Sequence, residues 1–317
     1  MSAVRNWTKY NLPLYLMETG RCVFNMKFRP GQRSEFLRQK YGSRRKLTAQ
    51  QANDFYREKI LSGEPFLGAR LGSGEMRRVN RYFMRKFGLC KDYRPDHIAS
   101  VILNHSPELA DWYCERLVET MPLVDIMPAW CAIAEPYLIR QFAKDAKLCN
   151  IQDIEPFWYE NPWTSALKGK KVLVINPFDE SIQMQYKKRE LLFKDKDMLP
   201  EFELHTLKSV MVLTPEDNIY GTIIDVVNDT YEKAMAIDFD IAILGCGQVG
   251  MLLAGMFKRQ GKQAIYMGGA LQLMFGIRGK RWDNKEEYAE LFNEHWIYPV
   301  EEPPAGAKRI EGGCYWG

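Results

Sequence analysis

The chain has 317 residues, of which 46% are hydrophobic and 26% charged, and 44 Lys and Arg against 40 Asp and Glu leave a net charge of +4. That balance excludes intrinsic disorder and is too close to neutrality for a surface that holds nucleic acid by charge alone. Seven cysteines, an odd number with no CxxC pair and no His at finger spacing, exclude a disulfide framework and a zinc finger and point to reduced thiols in a cytoplasmic compartment.

In chain order, the apolar patch Leu12 to Met17 is far too short for a membrane span, and neither a transmembrane nor a targeting segment is expected. From Lys27 to Lys46 there are eight basic residues against the single acidic Glu35, broken by Pro30, Gly31 and Gly42. A solvated arm is the plain reading of this stretch, and a contact for phosphate, an anionic acceptor or the membrane periphery is the sharper one. It sets residues 1–47 apart as a basic arm ahead of a larger domain, 48–317.

Thr48 and Gln51 spell a capping box for a helix running to about Leu61. Pro65 to Leu71 reads as a strand leading into Gly72-Ser73-Gly74-Glu75, which opens another helix. Ser106 caps a helix over Pro107 to Met121, Leu123 to Met127 reads as a buried strand, and Ile133 to Ala146 as a helix. Val172 to Asn176 is a core strand, Gln183 to Phe193 a helix and Phe202 to Leu207 a strand. Apolar residues at 219, 223, 226, 227, 231 and 234 give Asn218 to Ile237 a helical period. Ile241 to Leu244 and Gln263 to Met267 are strands on either side of a glycine turn and a helix. Strands separated by helices predict an α/β, Rossmann-like fold, a largely parallel sheet covered on both faces. Asn161 to Lys171 is the expected joint between two α/β halves.

Three clusters can carry chemistry. Ala69 to Glu75 places Arg70 at a strand end and Glu75 at a helix start, both on the side where open α/β sheets bind ligands. The plain alternative is a turn in which Arg70 pairs with a surface acid and Glu75 favours the helix dipole. In the second cluster Asn176, Asp179, Glu180 and Ser181 follow a core strand, as a binding loop or as the cap of the next helix. The third is the turn with Gly245, Gly247 and Gly250, extended through Gly268 and Gly269 to Arg278, Lys280 and Arg281. Its first part reads as a dinucleotide turn, but the next strand ends in Gly268 where a ribose-binding acid would stand, which argues against NAD. Glycine turns followed by fixed cations suit a diphosphate. In the plain reading Leu271, Leu273, Met274 and Phe275 are core and the cations are solvated.

The segment from Leu244 to Trp282, with Val172 to Phe193 before it and the closing Glu-Gly-Gly-Cys-Tyr-Trp after it, resembles bacterial and viral proteins of the GT-D glycosyltransferase superfamily. Arg70 to Glu75 is similar to that superfamily's Arg-x-Gly-Asp-Gly-Glu signature. The resemblance implies a Rossmann-like domain that moves a sugar from a nucleotide donor, UDP in the first instance, to a hydroxyl of a glycan or glycoconjugate. It implies an Asp-x-Glu pair at a divalent metal, Mn²⁺ or Mg²⁺, and carries Arg70 and Glu75 over directly. Ser73 stands where the Asp is expected, so Glu75 is the one carboxylate left for a metal, and basic residues gain weight. On this reading Gly72, Ser73, Gly245, Gly247, Gly250, Gly268 and Gly269 shape the donor pocket, and Arg70, Lys280 and Arg281 oppose the diphosphate. Glu75 or Asp179 takes the acceptor's proton. The alternatives are a non-catalytic nucleotide- or glycan-binding module and an S-adenosylmethionine-dependent methyltransferase, which would also want an acid where Gly268 stands. A nucleic-acid partner is not expected, because no aromatic residues interleave the basic arm as a reading surface.

Overall fold

The computed structural model describes residues 10–28, 40–41, 44–91, 106–130, 132–211, 219–309 and 312–317. The basic arm is described only in part. Its described part holds a helix, α1 (Leu12–Phe28), and a two-stranded antiparallel ribbon, β1 (Lys40–Tyr41) and β2 (Arg44–Arg45). Helix α1 was not expected. Its inner face seats Tyr15, Glu18 and Cys22, and the buried Glu18 carboxylate pairs with Arg140. Arg44 and Lys46 also turn inward, to backbone carbonyls at Ala143, Ala146 and Ala129. The remaining basic residues between 29 and 39 lie outside the described residues.

The capping box at Thr48 is present. Its hydroxyl accepts from the Gln51 N–H at 3.2 Å, the Gln51 side chain accepts from the Thr48 N–H at 3.0 Å, and helix α2 (Ala49–Ser62) follows. Strand β3 (Phe66–Ala69) leads into α3 (Ser73–Lys86), Ser106 caps α4 (Pro107–Thr120), and β4 (Ile126–Pro128) follows. The helix expected over 133–146 shortens to α5 (Glu135–Gln141), because the chain turns there and enters β5 (Lys147–Cys149). Three residues are too few to show a strand period, so β5 was missed.

Strand β6 (Lys171–Asn176) precedes α6 (Asp179–Tyr186), which starts four residues before the expected helix and ends seven residues earlier. Asp179 and Glu180 in the first turn favour this start through the helix dipole. Next come β7 (Glu203–Lys208), α7 (Ile223–Met235) capped by Thr222, β8 (Ile241–Leu244), α8 (Gly250–Arg259) and β9 (Gln263–Tyr266). Three one-turn helices close the list: α9 (Leu271–Met274), α10 (Lys280–Asp283) and α11 (Glu286–Ala289).

Seven strands form one sheet in the order β5-β4-β3-β9-β8-β6-β7, and every pairing is parallel. Parallel sheets need cover on both faces, and alternate residues supply it. Leu67, Leu173, Ile175, Ala242 and Leu244 pack into a core with α1, α3, α4, α5, α7 and α8. Phe66, Val172, Val174, Ile241 and Ile243 pack into a second core with α2, α6 and α9. In the segment 161–171, Trp163 and Leu167 are fully buried in that second core. Leu271, Leu273, Met274 and Phe275 are buried as the plain reading has it. No disulfide joins the six described cysteines, and among the described residues no helix is long and apolar enough to cross a membrane.

Candidate active site

The order of strands brings the carboxyl ends of β3, β9, β8 and β6 side by side, and a cavity of about 380 Å³ lies beyond them. Arg70 follows β3, Gly245 follows β8, Gly268 follows β9 by one residue, and Asn176 ends β6. All four line the cavity. Such crevices at strand ends are where open α/β sheets take ligands.

Glu75 is the acidic centre of this cavity. Gly72 has extended backbone (φ −80°, ψ 166°) and stands at the N-cap of α3, where it has no side chain to satisfy the helix's first N–H groups. Glu75, three residues on, folds back so that its carboxylate accepts from the Gly72 N–H. The other carboxylate oxygen accepts from the Tyr266 hydroxyl at 3.3 Å. Burial pushes the Glu75 carboxyl up to about 7, against the Gly72 hydrogen bond, the nearby Arg70, the Tyr266 hydrogen bond and Arg78, all of which favour its charge. A carboxyl at that value is half ionised at neutral pH, the condition for a general base. Cys246 also lines the cavity, but burial raises its thiol to about 12, so it is no nucleophile near neutrality.

The glycines divide into several roles. Gly268 is left-handed at φ 66°, and the Arg70 guanidinium packs tightly beside it, with Nε 3.2 Å from where a Cβ would stand. Arg70 is therefore held over a backbone that only glycine permits. Gly245 has Asn176 Nδ2 2.6 Å and the Gly268 carbonyl 2.9 Å from its missing Cβ, so it lets two strand ends converge. Gly247, at φ 60°, presents its carbonyl to the Tyr266 hydroxyl at 2.8 Å. Gly250 does not line the cavity; a Cβ there would overlap the Tyr266 ring. Gly269 lines it, yet its empty side is occupied by the ring of Tyr315. Gly72 and the exposed Ser73 complete the floor.

Of the expected cations, Arg70 and Arg281 line the cavity and Lys280 does not, being exposed. Asp179 is also absent from the lining. Its carboxylate lies 3.7 Å from Lys208 Nζ in the first turn of α6, whose N-cap is Phe178 with no side-chain cap, so Asp179 does not cap the helix either. Arg278 is engaged with Asp283 at 3.0 Å. Sequence reasoning missed Tyr266, Trp130, Gln272 and the Tyr315-Trp316 pair. Each reaches the cavity from an element whose position no local pattern reveals, although the closing Tyr-Trp had carried part of the resemblance.

Among solved structures, the chain is similar to one described as a new glycosyltransferase (DUF1792) from Streptococcus sanguinis, at 13% identity and a TM-score of 0.42, over 81% of this chain and 94% of that one. It is also similar to a selenomethionine-substituted structure of a domain of unknown function 1792, at 11% identity and a TM-score of 0.40, over 77% of this chain and 81% of that one. No family model and no curated protein matches the sequence.

The divalent metal that the resemblance implies finds a poor set of donors. Glu75 is the sole carboxylate lining the cavity among the described residues, and both its oxygens already accept hydrogen bonds from the protein. No group of three or more His, Cys, Asp or Glu suited to an ion occurs among the described residues. Mg²⁺ and Mn²⁺ take oxygen ligands, usually including one or two carboxylates, and this arrangement does not fit them. Positive charge in the cavity comes instead from Arg70 and Arg281.

Proposed function

We propose that this protein is a glycosyltransferase that moves a sugar from a nucleoside diphosphate donor, UDP in the first instance, to a hydroxyl of a glycan or glycoconjugate. The observation that carries the reading is the pairing, in one cavity at the strand ends, of a buried carboxyl that ionises near neutrality with two guanidinium groups. A single buried base beside fixed cations suits a reaction in which a proton leaves one reactant while negative charge grows on another.

Arg70 and Arg281 neutralise the diphosphate, and the N-terminus of α3, without a capping side chain, adds N–H groups of the same polarity. Glu75 accepts the proton of the acceptor hydroxyl. An ionised carboxylate has about four lone-pair sites, so the two hydrogen bonds it holds leave room for a third. The acceptor oxygen then attacks the anomeric carbon, and the bond from that carbon to the diphosphate oxygen breaks with its electron pair going to the leaving group. One displacement of this kind inverts the anomeric centre. Gly245 and Gly268 let Asn176 and Arg70 pack close at the strand ends that border the donor site, and Trp130, Phe178 and Trp316 supply apolar wall for its base and sugar.

The test is incubation of the purified protein with a panel of nucleoside diphosphate sugars, following release of free nucleoside diphosphate with and without a sugar acceptor. Slow release from one donor, accelerated by an acceptor, is expected. Binding without any turnover across the panel would instead favour a non-catalytic module.

A further inference from the structure

Tyr315 and Trp316 line the cavity, and the segment 314–316 is tied to α10 through backbone hydrogen bonds. The Arg281 N–H donates to the Cys314 carbonyl at 2.9 Å, and the Lys280 N–H to the Trp316 carbonyl at 3.1 Å. The buried Gln272 side chain donates to the Tyr315 carbonyl at 3.3 Å and to the Arg278 carbonyl at 2.8 Å, joining the same two segments from below. Trp316 is buried in the core, edge-on to Phe178 at 5.3 Å, with its indole N–H donating to the Glu301 carbonyl at 3.1 Å.

Two glycines make this seat possible. A Cβ at Gly279 would lie 2.9 Å from the carbonyl oxygens of both Cys314 and Tyr315, and one at Gly269 would overlap the Tyr315 ring. The glycine-punctuated stretch that reads in sequence as a ligand turn thus also serves to admit this segment. Its only polar side-chain tip among the cavity-lining residues 315 and 316 that meets a cation is the Tyr315 hydroxyl, which accepts from Arg281 Nη1 at 3.1 Å. The guanidinium also stands 5.9 Å from the Tyr315 ring centre and 5.8 Å from that of Trp282.

We infer that Tyr315 is a positioning residue, which aims the Arg281 guanidinium into the cavity and thereby sets the affinity for the donor's diphosphate. An arginine on a one-turn helix has many rotamers open to it, and a hydroxyl on a ring wedged against Gly269 removes most of them before the ligand arrives. This inference rests on the diphosphate reading of the cavity.

Calorimetric titration with UDP tests it, using the wild type, Arg281→Ala, Tyr315→Phe and the double variant. Tyr315→Phe keeps the ring against Gly269 and removes the hydroxyl alone. Both single variants are expected to weaken UDP at least about fivefold, the scale of a hydrogen bond to a charged group. In the Arg281→Ala background the phenylalanine is expected to add nothing, because a residue that acts through another has no effect once that other is gone. With donor turnover, Tyr315→Phe should raise KM and leave kcat at saturating donor unchanged. If Arg281→Ala weakens UDP while Tyr315→Phe does not, or if the two losses add in the double variant, the positioning role is wrong and the diphosphate reading stands. If neither variant alters UDP affinity, Arg281 takes no part in diphosphate binding and that reading fails with it.

Discussion

Glu75 combines a burial cost with a catalytic opportunity, and both are measurable. Its carboxyl protonates at about 7 in the folded chain against an ordinary value of 4.5. Between those values the folded state holds more protons than the unfolded chain, so the stability it contributes is complete below about pH 4.5 and is lost as pH rises through 7. At 1.36 kcal/mol per unit the whole change is about 3 kcal/mol. Urea denaturation of Glu75→Gln should therefore show the variant gaining on the wild type between pH 5 and pH 8, and a difference that does not move with pH would contradict the assignment. The same variant should lose at least about a hundredfold in turnover while still binding UDP, since the amide keeps the shape and cannot take a proton. Glu75 itself was legible from Gly-Ser-Gly-Glu at a strand end. Tyr266, which donates to it, was not, because its partner lies 191 residues away in sequence.

At the scale of elements, glycine decides where helices and strands can meet. Gly250 begins α8 directly beneath the Tyr266 ring, and a methyl group there would displace that ring from both Glu75 and the Gly247 carbonyl. Gly250→Ala should cost about 1–3 kcal/mol in urea denaturation, as overpacking does, and shift the pH dependence of turnover, because one of the hydrogen bonds holding the Glu75 carboxylate is lost. A stability loss with an unchanged pH profile would separate packing from the site. Helix ends with side-chain caps were readable where cap and helix are neighbours in sequence, as at Thr48 and Ser106. Helix α6 was placed too late in the chain, since the apolar period over 183–193 continues into a 3₁₀ turn at Arg189–Leu191 that the backbone does not extend as a helix.

For the whole molecule, the strand order decides what the cavity contains. Chain segments from Arg70 to Trp316 meet there only because β8 and β9 insert between β3 and β6. A ligand that binds this folded arrangement and not the unfolded chain raises the melting temperature by mass action. UDP or its sugars should do so, and the shift should survive a metal chelator, given that Arg70 and Arg281 rather than paired carboxylates line the cavity. A shift abolished by chelation would show that a metal bridges donor and protein.

What the sequence determined by itself is local: strand runs, capped helix starts, and the glycine turns at Gly245, Gly247 and Gly268, because each depends on residues a few positions apart. It also placed Arg70 at a strand end and Glu75 at the helix start that follows. Only the tertiary structure decided that Arg281 faces the cavity while its neighbour Lys280 is exposed, that Asp179 lies outside it, and that Tyr315 and Trp316 form its wall. Those outcomes depend on side-chain direction and on contacts between segments far apart in the chain, and neither is written in the pattern of nearby residues.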